Sequence, residues 1–521
     1  MTRDIIIGID AGTSVIKSVA FSSAGKQLAV TAIPNRYTTL DNGGVEQDMA
    51  RTWRDAAQTL RDLADKIDNL EARVIAVAVT GQGDGMWLVD KEGKPVAPAW
   101  LWLDSRAASI AEEFTLSPSY AAHYERTGTG VNACQQNVQL AWLGRHAPEA
   151  LARAQSAHHC KDWLYFKLTG ARASDPSEAN FTFGNYRSRN YAPDILDALG
   201  VSEAKRLLPE IVDGTERSHG LSADAAAATG LAAGTPVVLG YVDVVCTGLG
   251  GGLLDRQGRV GCSIAGSTGM HMRLAPSAAA VRLNPERTGY TMAFPAPGML
   301  AQMQSNMAST LNIDWLLDVG RDALESQGVE RSRKDLLEGL DDRILQRPGG
   351  RLLYHPYISQ AGERGPFLDA AARAQFTGLE AGMGYADLMR AVFEGLSFAA
   401  RDCYAAMGPL PGDIRLTGGG ARSKALRLIF ASALNAPVRS VVREEAGAAG
   451  AAMIAAVQQK VFPSMADCAA QWVDPMLGPE TRPDADLVKL FDTTFPIYRK
   501  TRDAMRPVWR ALQTARQGAH A

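Results

Sequence analysis

Ile5-Ile6-Ile7-Gly8-Ile9-Asp10-Ala11-Gly12-Thr13-Ser14 runs an apolar strand into a turn of small and hydroxylated residues, and Val15 to Phe21 resumes the extended pattern. That alternation reads as a β-hairpin. Val260-Gly261-Cys262-Ser263-Ile264-Ala265-Gly266-Ser267-Thr268-Gly269 repeats the theme in the second half of the chain. A repeat at this distance predicts two halves of one architecture, each opening on a hairpin. Between them the period changes. Met49, Trp53, Ala56, Leu60, Leu63 and Ile67 recur at alternating spacings of four and three, which predicts an amphipathic helix over 49–67. Val74-Ile75-Ala76-Val77-Ala78-Val79 follows as a buried strand that ends in Thr80-Gly81-Gln82-Gly83-Asp84-Gly85. Strands alternating with helices give an α/β class, with loops at strand ends as the natural place for a site.

The chain has 521 residues, enough for roughly three domains or two large ones. The expected units are 1–255 and 256–521, with Gly248–Gly252 and the polar segment Asp255–Arg259 at the junction. An insert over about 115–235 holds loops and an alanine-rich run at 225–233, and the last fifty residues look helical. With 46% apolar and 21% charged residues, a large core forms and wholesale disorder is excluded. A balance of 54 basic and 56 acidic side chains leaves no electrostatic footprint for nucleic acid or an anionic membrane. Cysteines 134, 160, 246, 262, 403 and 468 form no C-x-x-C pair, which argues against a disulfide framework or a zinc site and for reduced thiols. No apolar run reaches the ~18–20 residues of a membrane helix, so the small-residue stretch Ala446–Ala452 reads as a packing surface. Arg3 and Asp4 precede only a short apolar run, unlike a secretion signal, and a soluble cytoplasmic protein is expected.

Several loops carry chemistry. In Asp10-x-Gly12-Thr13-Ser14 with Lys17, a tight turn would expose backbone N–H groups to phosphate oxygens. Lys17 adds charge, and Asp10 could hold Mg²⁺ through water; an ordinary hairpin turn has the same composition. Leu416-Thr417-Gly418-Gly419-Gly420-Ala421-Arg422-Ser423 precedes a helical pattern, and its glycines would let an anionic ligand approach the backbone or would simply serve packing. Together with Thr268-Gly269, these loops would place a nucleotide between two domains. Asp243 lies in an apolar stretch that reads as a strand over 236–246, so it needs a partner, a ligand or a role. A general base and a helix cap are both open readings. Gln82, Asp84, Trp102 and Asp104 bring carboxylates beside aromatic faces, as a polyol or sugar pocket requires, with Trp100 to Arg106 alternating in strand fashion. No H-E-x-x-H, G-x-S-x-G or G-x-x-x-x-G-K-[ST] pattern occurs, which removes those metal hydrolases, serine hydrolases and P-loop enzymes.

Taken together these residues resemble the FGGY carbohydrate kinase family from residue 5 to about residue 457. The likeness includes Glu46-Gln47-Asp48 before Trp53, Trp102-x-Asp104-x-Arg106, and Lys161-Asp162-Trp163-Leu164 ending in Leu168-Thr169-Gly170. It continues through Asp175-x-Ser177-x-Ala179, Gly378-Leu379 and Asp387 to Gly395. The resemblance implies two ribonuclease H-like domains of the actin and hexokinase type around a cleft. The first would hold the sugar or polyol and the second the nucleotide. By the same resemblance, Asp243 is the catalytic base for a terminal hydroxyl attacking the γ-phosphate of ATP. Asp10 and Asp243 would help hold Mg²⁺. Gly12, Thr13, Ser14, Thr268 and Gly269 match phosphate-touching positions, Gly419, Gly420 and Ala421 match the nucleotide loop, and Ser423 or Lys424 would lie near the adenosine.

The acceptor-side residues depart from several branches of that family. Glycerol kinases carry Arg-Glu where this chain has Gly83-Asp84, and pentulose kinases carry a histidine after Gln-Met where none follows Gln82. Val244 stands where relatives place a polar residue after the base, and Gln139 replaces their lysine. Gln82-Gly83-Asp84-Gly85 followed by Trp87 is most similar to the erythritol-phosphorylating branch, with a ketopentose (xylulose or ribulose) or glycerol as alternative acceptors. A nucleotide-dependent switch and a non-catalytic polyol-binding protein are the rival classes, since a fold alone does not fix function. The resemblance also implies a homodimer or homotetramer.

Overall fold

The computed structural model describes residues 3–192, 194–255 and 257–520; Arg256, at the expected junction, lies outside the described residues. The opening hairpin forms as read. β1 (Ile5–Ala11) pairs antiparallel with β2 (Val15–Ser22), setting Asp10 opposite Lys17, and β3 (Gln27–Pro34) extends the ribbon. The periodic stretch gives α1 (Met49–Ala64), capped where the Asp48 carboxylate accepts the Arg51 N–H at 3.0 Å. It stops before Ile67, which is buried from the turn beyond. β4 (Val74–Gly81) lies parallel to β1, and β5 (Pro236–Leu239) lies parallel to β4.

The insert is more helical than its composition suggests. It contains α2 (Cys160–Thr169) and α3 (Pro176–Phe183), and the alanine-rich run forms the helix Ala223–Thr229. The expected strand through Asp243 ends early: β5 stops at Leu239, and Asp243 is the first residue of α4 (Asp243–Gly250). Gly240 makes the break, and the apolar run continues as helix because its Val245, Cys246 and Leu249 face one core. Nor do Trp100 to Arg106 form a strand. Only Ala99–Trp100 pairs, after which the chain turns so that the Arg106 guanidinium lies 3.5 Å over the Trp100 ring.

The second sheet begins with the hairpin of β6 (Val260–Ala265) and β7 (Gly269–Ala275), then takes β8 (Tyr290–Ala293) and β9 (Leu300–Asn306). β10 (Asp413–Thr417), β11 (Val438–Val441) and β12 (Leu477–Thr481) complete it. The orders β3-β2-β1-β4-β5 and β9-β7-β6-β10-β11 match pair by pair, two antiparallel contacts followed by two parallel ones. The internal repeat is therefore topological as well as sequential. α5 (Lys424–Leu434) follows β10, α6 (Ala446–Gln458) follows β11, and α7 (Ala485–His520) forms most of the C-terminal segment. No helix of the described residues is long and apolar enough to cross a membrane.

One apolar core crosses both halves through α4 and α6, joining Ile6 and Val238 of the first sheet to Cys262 and Met272 of the second. Ala446 to Ala456 of α6 are all buried. The helices meet backbone to backbone: a Cβ at Gly450 would overlap the Cys246 carbonyl oxygen. Gly450→Ala gains about 1 kcal/mol of helix propensity, against about 1–3 kcal/mol for overpacking a rigid backbone contact. The overlap wins, so the variant should unfold at lower denaturant concentration; a midpoint equal to or above the parent's would refute this packing account.

Candidate active site

A cavity of about 220 Å³ opens at the strand ends, walled by both halves. Thr13, Gln82, Gly83, Asp84 and Trp102 form one side, Val242, Asp243 and Val244 the floor, and Thr268 and Met270 the other side. Three of the polar residues form a relay. Trp102 Nε1 donates to Thr13 Oγ1 at 2.8 Å, Thr13 donates to Gln82 Oε1 at 2.9 Å, and Gln82 Nε2 donates to Gln47 Oε1 at 3.0 Å. Gln47 is tied in turn to Thr52 at 2.7 Å in the first turn of α1. The amide of Gln82 thus has its oxygen and one of its two N–H groups engaged in holding the wall.

Asp84 holds a left-handed backbone with φ at 53°, unusual for a residue with a side chain. Its N–H donates to Glu178 Oε1 at 2.9 Å, which pins the turn. Its Oδ2 accepts from Tyr290 Oη at 3.2 Å, whereas Oδ1 is buried with no partner. Burial raises its pKa, partly offset by His159, Tyr290 and Cys134.

Asp10 and Asp243 lie in each other's field. Burial pushes Asp10 up to about 6, with Lys17 opposing and Glu445 adding to the rise. Asp243 is raised well above the usual carboxylate range by burial, then by Asp10 and Glu178, against one backbone N–H. Neither forms an ion pair among the described residues. Lys17 instead bonds both Glu445 oxygens, at 3.0 and 2.8 Å, across the two halves. The Asp10 carboxylate also packs against the start of α6, where a Cβ on Gly447 would fall 2.5 Å from Oδ2.

Beneath the cavity is a buried charge cluster. Lys161 Nζ contacts Asp162 at 2.7 Å, Asp175 at 2.7 Å and Glu178 at 2.6 Å, all fully buried. His159 joins through Asp162 at 3.2 Å. Burial disfavours its protonation, but Glu178 and Asp162 outweigh that and raise its pKa. Ser177, bonded to Asp175, accepts the Val242 N–H at 3.1 Å, one residue before Asp243. His159, Asp162 and Glu178 have the spacing of a metal site, but the Lys161 ammonium fills that charge demand.

Of the other residues singled out from sequence, Gly12 closes the hairpin turn through its N–H to Val15 O at 3.1 Å, and Ser14 is exposed beside it. Gly269 starts β7 next to Thr268, and Gly419, Gly420 and Ala421 form the turn after β10. A Cβ on Gly420 would come within 2.9 Å of Ala265, so the two C-terminal loops adjoin. Ser423 caps α5 and donates to Asp341 at 2.6 Å, with the Lys424 N–H on the same carboxylate at 2.6 Å. Asp104 does not reach the cavity: it is buried, accepting the Val45 N–H at 2.8 Å and pairing with Arg106 at 2.7 Å. Sequence reasoning missed Tyr290, Arg364, Glu178 and Glu445 as neighbours of the site. Only Glu178, the one charged residue of α3, carried a local signal.

The N-terminal domain model of the FGGY family of carbohydrate kinases matches residues 5–250, and the C-terminal domain model matches 261–459. The chain belongs to the FGGY carbohydrate kinase family. It is 53% identical over 513 residues to the erythritol kinase of Brucella abortus, covering 98% of each protein. It is 26% identical to the xylulose kinase of Bacillus subtilis, over 98% of this chain and 99% of that one. Among solved structures, xylulose kinase from Rhodospirillum rubrum superposes with a TM-score of 0.87 at 24% identity, over 97% of this chain and 100% of that one. The doubly repeated sheet and its cleft are thus the fold of sugar kinases, and this kinase places its titratable carboxylates where the two repeats meet.

Asp10 has a folded pKa of about 6 against an ordinary 3.8, so the native state holds that proton more tightly than the unfolded chain. Stability contributed by the protonated form is therefore lost as pH rises across that window. Asp10→Asn should melt above the parent at pH 7.5 in nucleotide-free, metal-free buffer, with the difference vanishing near pH 4. A variant melting below the parent at pH 7.5 would refute the electrostatic account.

Proposed function

We propose that this kinase transfers the γ-phosphoryl group of ATP to a terminal hydroxyl of erythritol, with Asp243 as general base. The observation that carries the reading is the half-buried Asp243 carboxylate on the floor of a small cavity with Asp84 and Trp102 in its wall. Near-full-length identity of 53% to an erythritol kinase supports the four-carbon acceptor. The cavity is smaller than the ~300–1,000 Å³ of drug-sized sites, in keeping with a short acceptor.

In this reading the N-terminal half supplies the acceptor site and phosphate hairpin, and the C-terminal half supplies the nucleotide loops. The acceptor hydroxyl oxygen bonds to the γ-phosphorus in line, the bond to the bridging oxygen breaks, and ADP departs. Asp243 takes the hydroxyl proton as general base. Asp84 accepts a hydroxyl hydrogen bond from the far part of the chain, and Trp102 walls one face. The turn at Thr13 and Ser14 offers backbone donors to phosphate oxygens, as do Gly269, Gly419 and Gly420.

The donor set fits a divalent cation: two carboxylates raised by burial, Asp10 further by Glu445 and Asp243 further by Asp10 and Glu178, with no ion-pair partner among the described residues. Asp10 and Asp243 would hold Mg²⁺, which when bound supplies charge neutralisation on the transferring phosphate.

ADP release with Mg-ATP should be fastest with erythritol among erythritol, glycerol, xylitol, D-xylulose and D-ribulose. Asp243→Asn should lower it by about 10²–10⁴-fold, the usual worth of a general base. Turnover on a ketopentose alone would keep the mechanism and reject erythritol. Absence of turnover with every acceptor would reject the kinase reading for this set.

A further inference from the structure

A second cavity of about 190 Å³ lies behind the first. The linings of the two share only Tyr290 and Arg364, both from the C-terminal half. These residues are held from several directions. Tyr290 Oη donates to Asp84 Oδ2 at 3.2 Å and accepts from Asn132 Nδ2 at 3.2 Å, and its ring meets Phe181 edge-on with centroids 5.4 Å apart. Around it the halves are stitched together: the Gly130 N–H donates to Gly289 O at 2.9 Å and the Thr291 N–H to Thr129 Oγ1 at 3.1 Å. Arg364 Nε donates to Ser305 Oγ at 3.0 Å. Its main chain is clamped by the buried Glu363 carboxylate, which accepts the N–H groups of Met307 and Arg364 at 2.9 Å. Arg364 makes no ion pair among the described residues, so the outer nitrogens of its guanidinium remain free for a ligand hydroxyl.

A wall that cannot yield rejects a longer ligand by overlap, and a wall carrying free donors rewards a ligand that ends on it. We propose that Tyr290 and Arg364 are specificity-determining residues that form the end wall of the acceptor cavity and set the longest polyol chain accepted. The proposal rests on the kinase reading above and extends it from the reacting end of the acceptor to the remote end. Removing the Arg364 side chain leaves Tyr290 as the one residue shared by the two linings, and the vacated space takes at least one further CHOH unit. Tyr290→Phe keeps the ring but releases Asp84 and Asn132, so the same wall loses its stiffness.

The test is kcat/KM for glycerol, erythritol, ribitol and xylitol with Mg-ATP in the parent, Arg364→Ala and Tyr290→Phe. Calorimetric affinities for the same four polyols run alongside, so that the length ratio is read even without turnover. A methylene-sized change in a pocket is worth about 10-fold or more. Arg364→Ala should therefore raise the five-carbon to four-carbon ratio by about 10-fold or more, and Tyr290→Phe should raise it less, in the same direction. KM for ATP should not move in either. Ratios within about 2-fold of the parent in variants that melt cooperatively would overturn the wall. An equal gain for glycerol would also overturn it, because that marks general loosening. If the parent prefers an acceptor other than erythritol, the substrate reading fails by itself, and a gain by the next longer homologue of that acceptor still supports the wall.

Discussion

The close approach of α4 and α6 is the constraint on which the site depends. Gly450 sits against the Cys246 backbone, Gly447 against Asp10, and Gly250 against Ala446, so the two helices touch main chain to main chain. Asp243 is the first residue of α4, Glu445 immediately precedes α6, and Asp10 is the penultimate residue of the strand lying against α6. One interhelical distance therefore sets the mutual field of three carboxylates and decides that Lys17 spans the halves to Glu445. Interiors are close-packed and compress little, so a single added methyl group at this contact is felt at Asp10 and Asp243. The alanine-rich composition of 446–452 records that requirement in the sequence.

The buried cluster around Lys161 answers a second requirement. Desolvating an ammonium and three carboxylates is expensive, and well-packed apolar groups are often as stable or more so. What the charges supply is placement. Glu178 holds the strained backbone of Asp84 on one side, and Asp175, through Ser177, holds Val242 on the other. A carboxylate at each wall of the cavity is thus fixed by a carboxylate beneath it. Loss of one partner would strand the remaining charges, at about 3–5 kcal/mol, and would release the turn that orients Asp84.

Local patterns carried the architecture. The two hairpins, the helix after Asp48, the buried strand before Gln82 and the small-residue packing surface were all legible, because each is a property of ten to twenty consecutive residues. Asp243 shows where such reading stops. Val237 to Cys246 is apolar apart from Gly240 and Asp243 itself, and an apolar run does not say whether it is strand or helix; the break at Gly240 is decided by the fit of α4 against α6. Asp104 fails for a related reason. A carboxylate beside tryptophans looks like a sugar contact, but its partner Val45 lies far back in the chain, and only the fold reveals that its valences are filled. Tyr290 and Arg364 had no signal at all, since they reach the cavity from strands and turns more than 180 residues beyond Asp84.

The composition of the cavity wall bears on how a polyol is told from its neighbours. Phe181, Val242, Val244, Met270, Met292 and Met303 make much of the lining apolar, which offers nothing to a hydroxyl and excludes water that would compete as nucleophile. Discrimination then falls to the few polar groups, and several of these are already bonded to one another: the Trp102 indole, Thr13 and Gln82 form a relay that runs on to Gln47. Asp84 Oδ1 is one exception, buried with no donor among the described residues. An unmet buried acceptor costs about 1–3 kcal/mol, and a ligand that places a hydroxyl there removes that penalty, whereas one lacking it does not. At this position the difference between the two ligands is set by the protein's own unsatisfied oxygen, beside whatever the Tyr290 and Arg364 wall adds at the other end of the chain. The same logic explains why the raised pKa of Asp84 matters: a carboxyl that takes up a proton becomes its own donor, and its preference for a hydroxyl hydrogen falls with it.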